Sequence, residues 1–467
     1  MNGTEELKNL RFYFCGIGGC GMNPLAHFLA RSGYSAAGSD IEESEELEDL
    51  RRDGVECAAR QDGSLLRPGD VFVYSSAIHE DNPDLLRAKE LGLSFLHRSE
   101  LLAQIARRYK TVTVAGMHGK TTVSSLIAFL MTEGGLDPNA IIGGHVPAFG
   151  GNFRAGSGGW LVLEADESDG SFRRYASDIA VLLNVDADHL DYYKDMQAIR
   201  EAFAVYVNNI TENGVLVYNA DDPICEELAA AARPDIRKIK CGVGALALEK
   251  ADYVGTDMIL SPLSSSFTLL ENRGGKTRSL SFVCPLPGSH NVFNAVVSLA
   301  ACAAAGADPE LLRDPLAAFR NAQRRFERLG KWHGAEIIDD YAHHPKEIEA
   351  LLQSAARLEG ELTVVFQPHR FSRTEKLLPE FAYVLSKAPN LILTDVYSAG
   401  ESKRMIGGKE LYEAVLNLGG QAEYVNTPAE IPALLLERSK SWKFPHTLLF
   451  TGAGALSALA HEMLKNQ

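Results

Sequence analysis

Seven residues, Gly116-Met117-His118-Gly119-Lys120-Thr121-Thr122, stand between the apolar run Thr111–Ala115 and a stretch of helical periodicity from Val123 to Met131. A glycine-rich turn between a strand and a helix aims backbone N–H groups and the positive end of the helix at an anion. In that setting Gly116, His118, Gly119 and Thr122 line a cradle for the phosphates of a nucleoside triphosphate. Lys120 neutralises charge on the β- and γ-phosphates, and the Thr121 hydroxyl ligates magnesium. The usual pattern places four residues between its first glycine and the Gly-Lys-Ser/Thr. This chain has only Met117 and His118 there, so the strand–turn–helix setting carries the reading.

Downstream, the run Leu161–Leu163 leads into Glu164-Ala165-Asp166-Glu167-Ser168-Asp169. An acidic cluster has two readings, a solvated surface loop or a cation site. Acids at a strand end beside a phosphate-binding turn are where a further magnesium ligand belongs, and Glu164, nearest the strand, is the expected one. His189, in Asn184-Val185-Asp186-Ala187-Asp188-His189, is either a loop histidine or the ligand of a second cation near the γ-phosphate. A second glycine-rich turn, Gly16-Ile17-Gly18-Gly19-Cys20-Gly21, has Asp40 some twenty residues on. Its geometry suits the pyrophosphate of NAD, and equally that of a UDP-sugar. Two nucleotide-type turns weaken the dehydrogenase reading, which needs no magnesium–ATP site.

The elements that must position these residues recur along the whole chain. Apolar runs at Leu10–Cys15, Val71–Tyr74, Thr111–Ala115, Trp160–Leu163, Ile179–Asn184, Ile337–Asp339, Leu362–Phe366, Leu391–Asp395 and Thr447–Thr451 alternate with helical patterns such as Leu25–Arg31 and Ile348–Leu358. Such alternation predicts α/β architecture, with parallel sheets covered by helices and ligands bound beyond the carboxyl ends of the strands. Boundaries near Arg107–Lys110 and Asn321–Gly330 divide the 467 residues into 1–107, 108–322 and 323–467. The stretch Gly242–Thr277 has weaker periodicity and reads as β-rich surface structure.

The formal net charge of -15 excludes the broad positive field of a nucleic-acid or anionic-membrane binder. No apolar run approaches the ~20 residues of a membrane span, and the polar, acidic N-terminus does not read as a leader. Seven cysteines without close metal-type pairs read as reduced thiols. The expectation is a cytoplasmic protein.

Taken together, GIGGCGM (16–22), GMHGKTT (116–122), EADESDGSF (164–172), NVDADHLDYY (184–193), GSHNVFNA (288–295), RRFERLG (324–330), DDYAHHP (339–345), QPHRFSRT (367–374) and DVYSAGE (395–401) resemble the Mur ligase family over almost the whole chain. The resemblance is to its alanine-adding branch, with the branch that adds a whole tripeptide in recycling as the alternative. It implies a Rossmann-like UDP-binding domain, a P-loop ATPase-like central domain and a Rossmann-like C-terminal domain that binds the amino acid. It implies ligation of L-alanine to UDP-N-acetylmuramate in peptidoglycan synthesis, with ATP and Mg2+, by a monomer or weak homodimer acting on small molecules alone.

By the same resemblance the first turn, through Gly18, Gly19 and Gly21, receives the UDP-sugar, with Asp40, Ser76 and Arg98 nearby. Asn294, Arg325 and Asp340 join the ATP set, and Lys120, Arg325 and His344 the catalytic set, His344 as proton acceptor. His343, His369, Arg370 and Arg373 hold the amino acid, and Thr121, Glu164 and His189 the metal. The family pattern differs here at Met117, where a threonine is expected, and at TGAGALS (451–457), where an acidic or polar residue is expected after the GAG. The helix after His189 offers Arg200 and no lysine between Asp195 and Gly214. That fits the alanine-adding branch, since related branches carbamylate a lysine there.

Overall fold

The computed structural model describes residues 10–19, 21–189, 192–402 and 405–466. Three sheets account for its strands. The first contains β1 (Arg11–Cys15), β2 (Ser35–Ser39), β3 (Glu56–Ala58), β4 (Val71–Tyr74) and β5 (Ser94–His97), in the order β3-β2-β1-β4-β5. All its pairings are parallel. Alternation in β1 sends Phe12 and Phe14 to one face and Tyr13 and Cys15 to the other, each into its own apolar cluster. Strand order reverses between β1 and β4, which opens a crevice at their carboxyl ends. The first glycine-rich turn leaves β1 at that point.

The second sheet has ten strands: β6 (Lys110–Ala115), β7 (Asn139–Val146), β8 (Gly151–Arg154), β9 (Trp160–Glu164), β10 (Ser177–Leu182), β11 (Ile210–Asn219), β12 (Arg237–Val243), β13 (Tyr253–Leu260), β14 (Ser265–Arg273) and β15 (Lys276–Cys284). Their order is β15-β14-β13-β12-β11-β10-β6-β9-β7-β8. The stretch read as β-rich surface structure thus supplies the end of β12, β13, β14 and the start of β15. β6 lies between β9 and β10 and is parallel to both. The phosphate-type turn, the acidic segment and the His189 loop therefore emerge side by side from three neighbouring strands.

At one edge of this sheet, Phe153 of β8 packs under the helix Asn23–Arg31. The His27 ring stacks on it at 4.8 Å, the Arg31 guanidinium lies over it, and Asp53 lies 2.7 Å from a side-chain nitrogen of each. At the other edge, Arg278 of β15 pairs with Asp308 and Glu310.

The third sheet contains β16 (Glu327–Trp332), β17 (Ala335–Asp340), β18 (Glu361–Phe366), β19 (Leu391–Thr394), β20 (Ala422–Val425) and β21 (His446–Thr451), in the order β16-β17-β21-β18-β19-β20. Only β16 is antiparallel to its neighbour. Apolar clusters cover both faces, Ile338, Val364 and Phe366 on one and Ile337, Val365 and Leu448 on the other.

The chain forms two compact units. The first holds residues 1–256, 268–282 and 293–322, and one core runs through its two sheets. The second holds residues 257–267, 283–292 and 323–467. Among the described residues no helix is long and apolar enough to cross a membrane.

Candidate active site

In the first unit the turn after β6 closes on Gly119, whose φ of +87° caps the helix Lys120–Glu133. That left-handed conformation costs a side chain energy that glycine avoids. The Asn184 side chain fixes the turn from the end of β10: it accepts the His118 N–H at 2.9 Å and donates to the His118 carbonyl at 3.0 Å. The Asn294 amide lies against Gly119, its oxygen 3.2 Å from where a Cβ would stand. Thr122 receives a hydrogen bond from Asn321.

Lys120 Nζ donates to the Gly116 carbonyl at 2.9 Å and forms an ion pair with Glu167 at 2.7 Å. Burial opposes its charge, but Glu167, Asp166 and Glu164 outweigh burial and hold the ammonium well above its ordinary range. Thr121 donates to Glu164 at 3.0 Å, and Gly143 N–H to the other Glu164 oxygen at 2.8 Å. Burial raises the Glu164 carboxyl despite Lys120, so this acid gains from a cation placed beside it.

His189, with φ +50°, turns its Nε2 towards Glu167 at 3.2 Å. Burial works against the imidazolium, yet Glu167 and Asp188 raise its pKa overall. Ligand atoms of Asp166, Glu167 and His189 all lie within 4.8 Å of one another. Glu167 is fully buried, and its Oε2 has no hydrogen-bond partner among the described residues. A buried carboxylate oxygen with no donor among the described residues, beside a second acid and an imidazole, is a mainly oxygen donor set that suits a small divalent cation.

Thus the structure brings Thr121 and Glu164 together as the sequence suggests, while His189 meets Glu167, which sequence reasoning passed over. Nearness to the strand ranks Glu164 first among four acids in six residues, and it gives Glu167 no signal of its own. Asn184 was also missed, although a polar residue ending an apolar run is the available signal.

At the first turn, Gly16 and Ile17 N–H groups donate to the Ser39 carbonyl, and Gly18 N–H to Asp40 at 2.8 Å. Asp40 therefore braces the turn itself. The Arg98 guanidinium lies flat against Gly21, 3.0 Å from a Cβ position, and pairs with Asp169 at 3.2 Å. Gly19 sits inside the turn, and Ser76 is exposed in the bend after β4. All six UDP candidates gather at the carboxyl ends of β1 and its neighbours β2 and β4, or pack against that turn.

The second unit carries the remaining candidates on its strand ends. Asp340 closes β17 and accepts N–H groups of Phe326 at 2.7 Å and Ala342 at 2.8 Å. Burial pushes its carboxyl up to about 6, against the pull of Arg325. Arg325 lies 5.3 Å from the Tyr341 ring centre. His344 caps the helix Pro345–Ala355, its Nδ1 accepting the Lys346 N–H, while Glu347 accepts from His343 and His344. His369 stacks on Tyr397 and faces His343 at 6.0 Å, with Arg373 3.4 Å from its Nδ1. Burial, then His343, Arg373 and Arg370, depress its pKa to about 3. Arg370 takes φ +68° and donates its N–H to the Tyr397 carbonyl. Tyr397 was not singled out, because an aromatic residue in a turn carries no signature of its own. Arg200 is on the surface with Glu227.

Three family models match in succession: "Mur ligase family, catalytic domain" over residues 11–110, "Mur ligase middle domain" over 114–302 and "Mur ligase, glutamate ligase domain" over 324–454. The chain belongs to the Mur ligase family. This Mur ligase is 37% identical over 457 residues to a UDP-N-acetylmuramate--L-alanine ligase of Methylocella silvestris, covering 97% of this chain and 96% of the relative. It is also 37% identical to the like-named protein of Mesorhizobium japonicum over 462 residues, 97% of each chain. The crystal structure of a UDP-N-acetylmuramate-alanine ligase from Thermotoga maritima is 26% identical, with a TM-score of 0.81 over 98% of this Mur ligase and 99% of that chain. A murein peptide ligase from Psychrobacter arcticus, 21% identical with a TM-score of 0.72 over 98% of both chains, shares the fold.

Proposed function

We propose that this Mur ligase joins L-alanine to the carboxylate of UDP-N-acetylmuramate with hydrolysis of ATP to ADP and phosphate, in peptidoglycan precursor synthesis. One observation carries the reading: the near-full-length likeness to alanine-adding ligases falls on a chain whose Lys120, Thr121, Glu164 and His189 stand on three adjacent strand ends.

A carboxylate resists an amine because it is anionic and lacks a leaving group. Its oxygen attacks the γ-phosphorus of ATP, the bond to ADP breaks, and an acyl phosphate forms. The alanine nitrogen then attacks the acyl carbon, and the tetrahedral intermediate expels phosphate. The turn at 116–122 holds the triphosphate by backbone N–H groups and Lys120, whose work is positioning and charge neutralisation. The packing of the Asn294 amide against Gly119 supports its assignment to the nucleotide.

Thr121 and Glu164, with Asp166, Glu167 and His189 beside them, are the residues that would hold magnesium. When bound, the ion neutralises repulsion between triphosphate and carboxylate. In the second unit, Arg325 and Asp340 remain the nucleotide candidates. There Arg370 and Arg373 offer planar forks to the alanine carboxylate, with His343 and His369 at their side. Proton transfer from the ammonium by His344 runs through Nε2, since Nδ1 caps a helix.

Phosphate release from ATP and magnesium is measured with UDP-N-acetylmuramate, with and without L-alanine. Release that needs both acceptor substrates, and is lost in Lys120→Ala, is expected. Release with a tripeptide but not with alanine would replace this reading by the recycling one.

A further inference from the structure

The segment from Glu164 to Arg174 touches more than the metal residues. Its first half meets Thr121, Lys120 and His189 through Glu164 and Glu167. Its second half meets the helix Arg98–Ala106 of the first sheet by two ion pairs, Asp169 with Arg98 at 3.2 Å and Arg174 with Glu100 at 3.1 Å. Asp169 is itself fixed, because its other oxygen accepts the Ser171 N–H at 2.9 Å. Phe172, fully buried against Phe203 and Tyr206, anchors the short turn that follows.

Asp169 thus takes one edge of the Arg98 fork. Arg98 Nη1 and Nε lie 3.0 and 3.4 Å from the Cβ position of Gly21, where the first turn runs into its helix. Both side chains are about one-fifth exposed. A guanidinium clamped on one edge by a carboxylate keeps its charge and plane while its face lies on the turn, so less freedom is lost when a phosphate binds.

We propose that Asp169 is a positioning residue for the UDP-sugar, holding Arg98 across Gly21 and tying the sugar-nucleotide turn to the acidic segment that serves ATP and magnesium. The proposal rests on the reading that the first turn receives the UDP-sugar. Because one short stretch of chain carries both contacts, occupancy at Lys120 and Thr121 biases the setting of Arg98, and linkage makes the effect reciprocal.

The test is titration calorimetry of UDP-N-acetylmuramate into the full chain, with and without magnesium and a non-hydrolysable ATP analogue, alongside steady-state kinetics. Asp169→Asn keeps an acceptor for the Ser171 N–H and removes the charge. It should weaken sugar-nucleotide binding at least about fivefold and move the ratio of Kd values without and with the analogue towards one. Its kcat at saturating sugar nucleotide, and KM for alanine, should stay within about twofold, a split that a general loss of structure would not give. In Arg98→Lys the Kd should rise similarly, and the double variant should be no worse than Arg98→Lys alone. An unchanged Kd in either single variant, or additive losses in the double, would overturn the proposal. Arg98→Lys leaves the Asp169–Ser171 turn intact and keeps the test decisive should Asp169→Asn fail to fold. Wild-type protein that binds no UDP-sugar at all would instead remove the functional reading on which the proposal stands.

Discussion

Replacing Glu167 by glutamine separates the electrostatics of the ATP site from its shape. Glu167 has no exposed surface, and Lys120 beside it is only 12% exposed, so water screens their 2.7 Å contact little. Removing one partner of a buried pair typically costs about 3–5 kcal/mol, because the other charge stays buried and uncompensated. Here Lys120 keeps the Gly116 and Met117 carbonyls as acceptors, Asp166 and Glu164 remain near it, and glutamine still offers one acceptor. The loss should therefore be lower, about 2–3 kcal/mol. At roughly 2–4 °C per kcal/mol, the melting temperature of ligand-free protein should fall by about 4–12 °C in scanning calorimetry at neutral pH. Lys120→Met should cost a similar amount by stranding three acids. The double variant should lose less than the sum, since neither charge is then left alone. A Glu167→Gln protein melting within about 1 °C of wild type, or strictly additive losses, would refute the argument that this pair is buried and mutually dependent.

Thr121→Val should raise the magnesium concentration needed for half-maximal phosphate release about tenfold or more, because the hydroxyl beside Glu164 is lost; an unchanged requirement would place the ion elsewhere. Asp340 has a folded pKa of about 6 against an unfolded value near 3.9, so the folded state holds its proton more tightly. The stability this gives is complete below about pH 4 and is lost as pH rises through about 6. Relative to Asp340→Asn, wild type should therefore lose about 2–3 kcal/mol between pH 4 and 7, read from denaturant midpoints at each pH. Arg373→Ala should raise KM for L-alanine at least about tenfold and leave KM for ATP within about twofold, measured by phosphate release.

All nine apolar runs are strands of the structure, with no end moved by more than two residues, because alternating β and α segments betray a parallel sheet even in one sequence. The residues proposed to bind phosphate stand out for the same reason: a turn between a strand and a helix fixes which atoms would face a ligand. What could not be read is which member of a cluster faces which neighbour. Glu164 and Glu167 are three residues apart in one acidic run, yet one meets Thr121 and the other Lys120 and His189. That choice is made by a turn in which Ser168 bonds Asp166 and Tyr193 grips the Glu167 carbonyl. The helix start at His344 was better signalled than read. His-Pro-Lys-Glu has proline at the first helical position and glutamate at the third, and the imidazole supplies the cap that serine or threonine more often does.

The two borders of the ten-stranded sheet have a consequence for handling the protein in pieces. A border strand presents unpaired backbone groups that template pairing with another chain, and charge or a covering helix normally prevents this. On β15 the charge is Arg278, tied to Asp308 and Glu310 within the same region. On β8 the cover comes from His27 and Arg31, far earlier in the chain, which close over Phe153. A fragment beginning near residue 108 would lose that cover and present an open, sticky strand. Its self-association in solution would then report a missing lid on the sheet, with no fault in the nucleotide site.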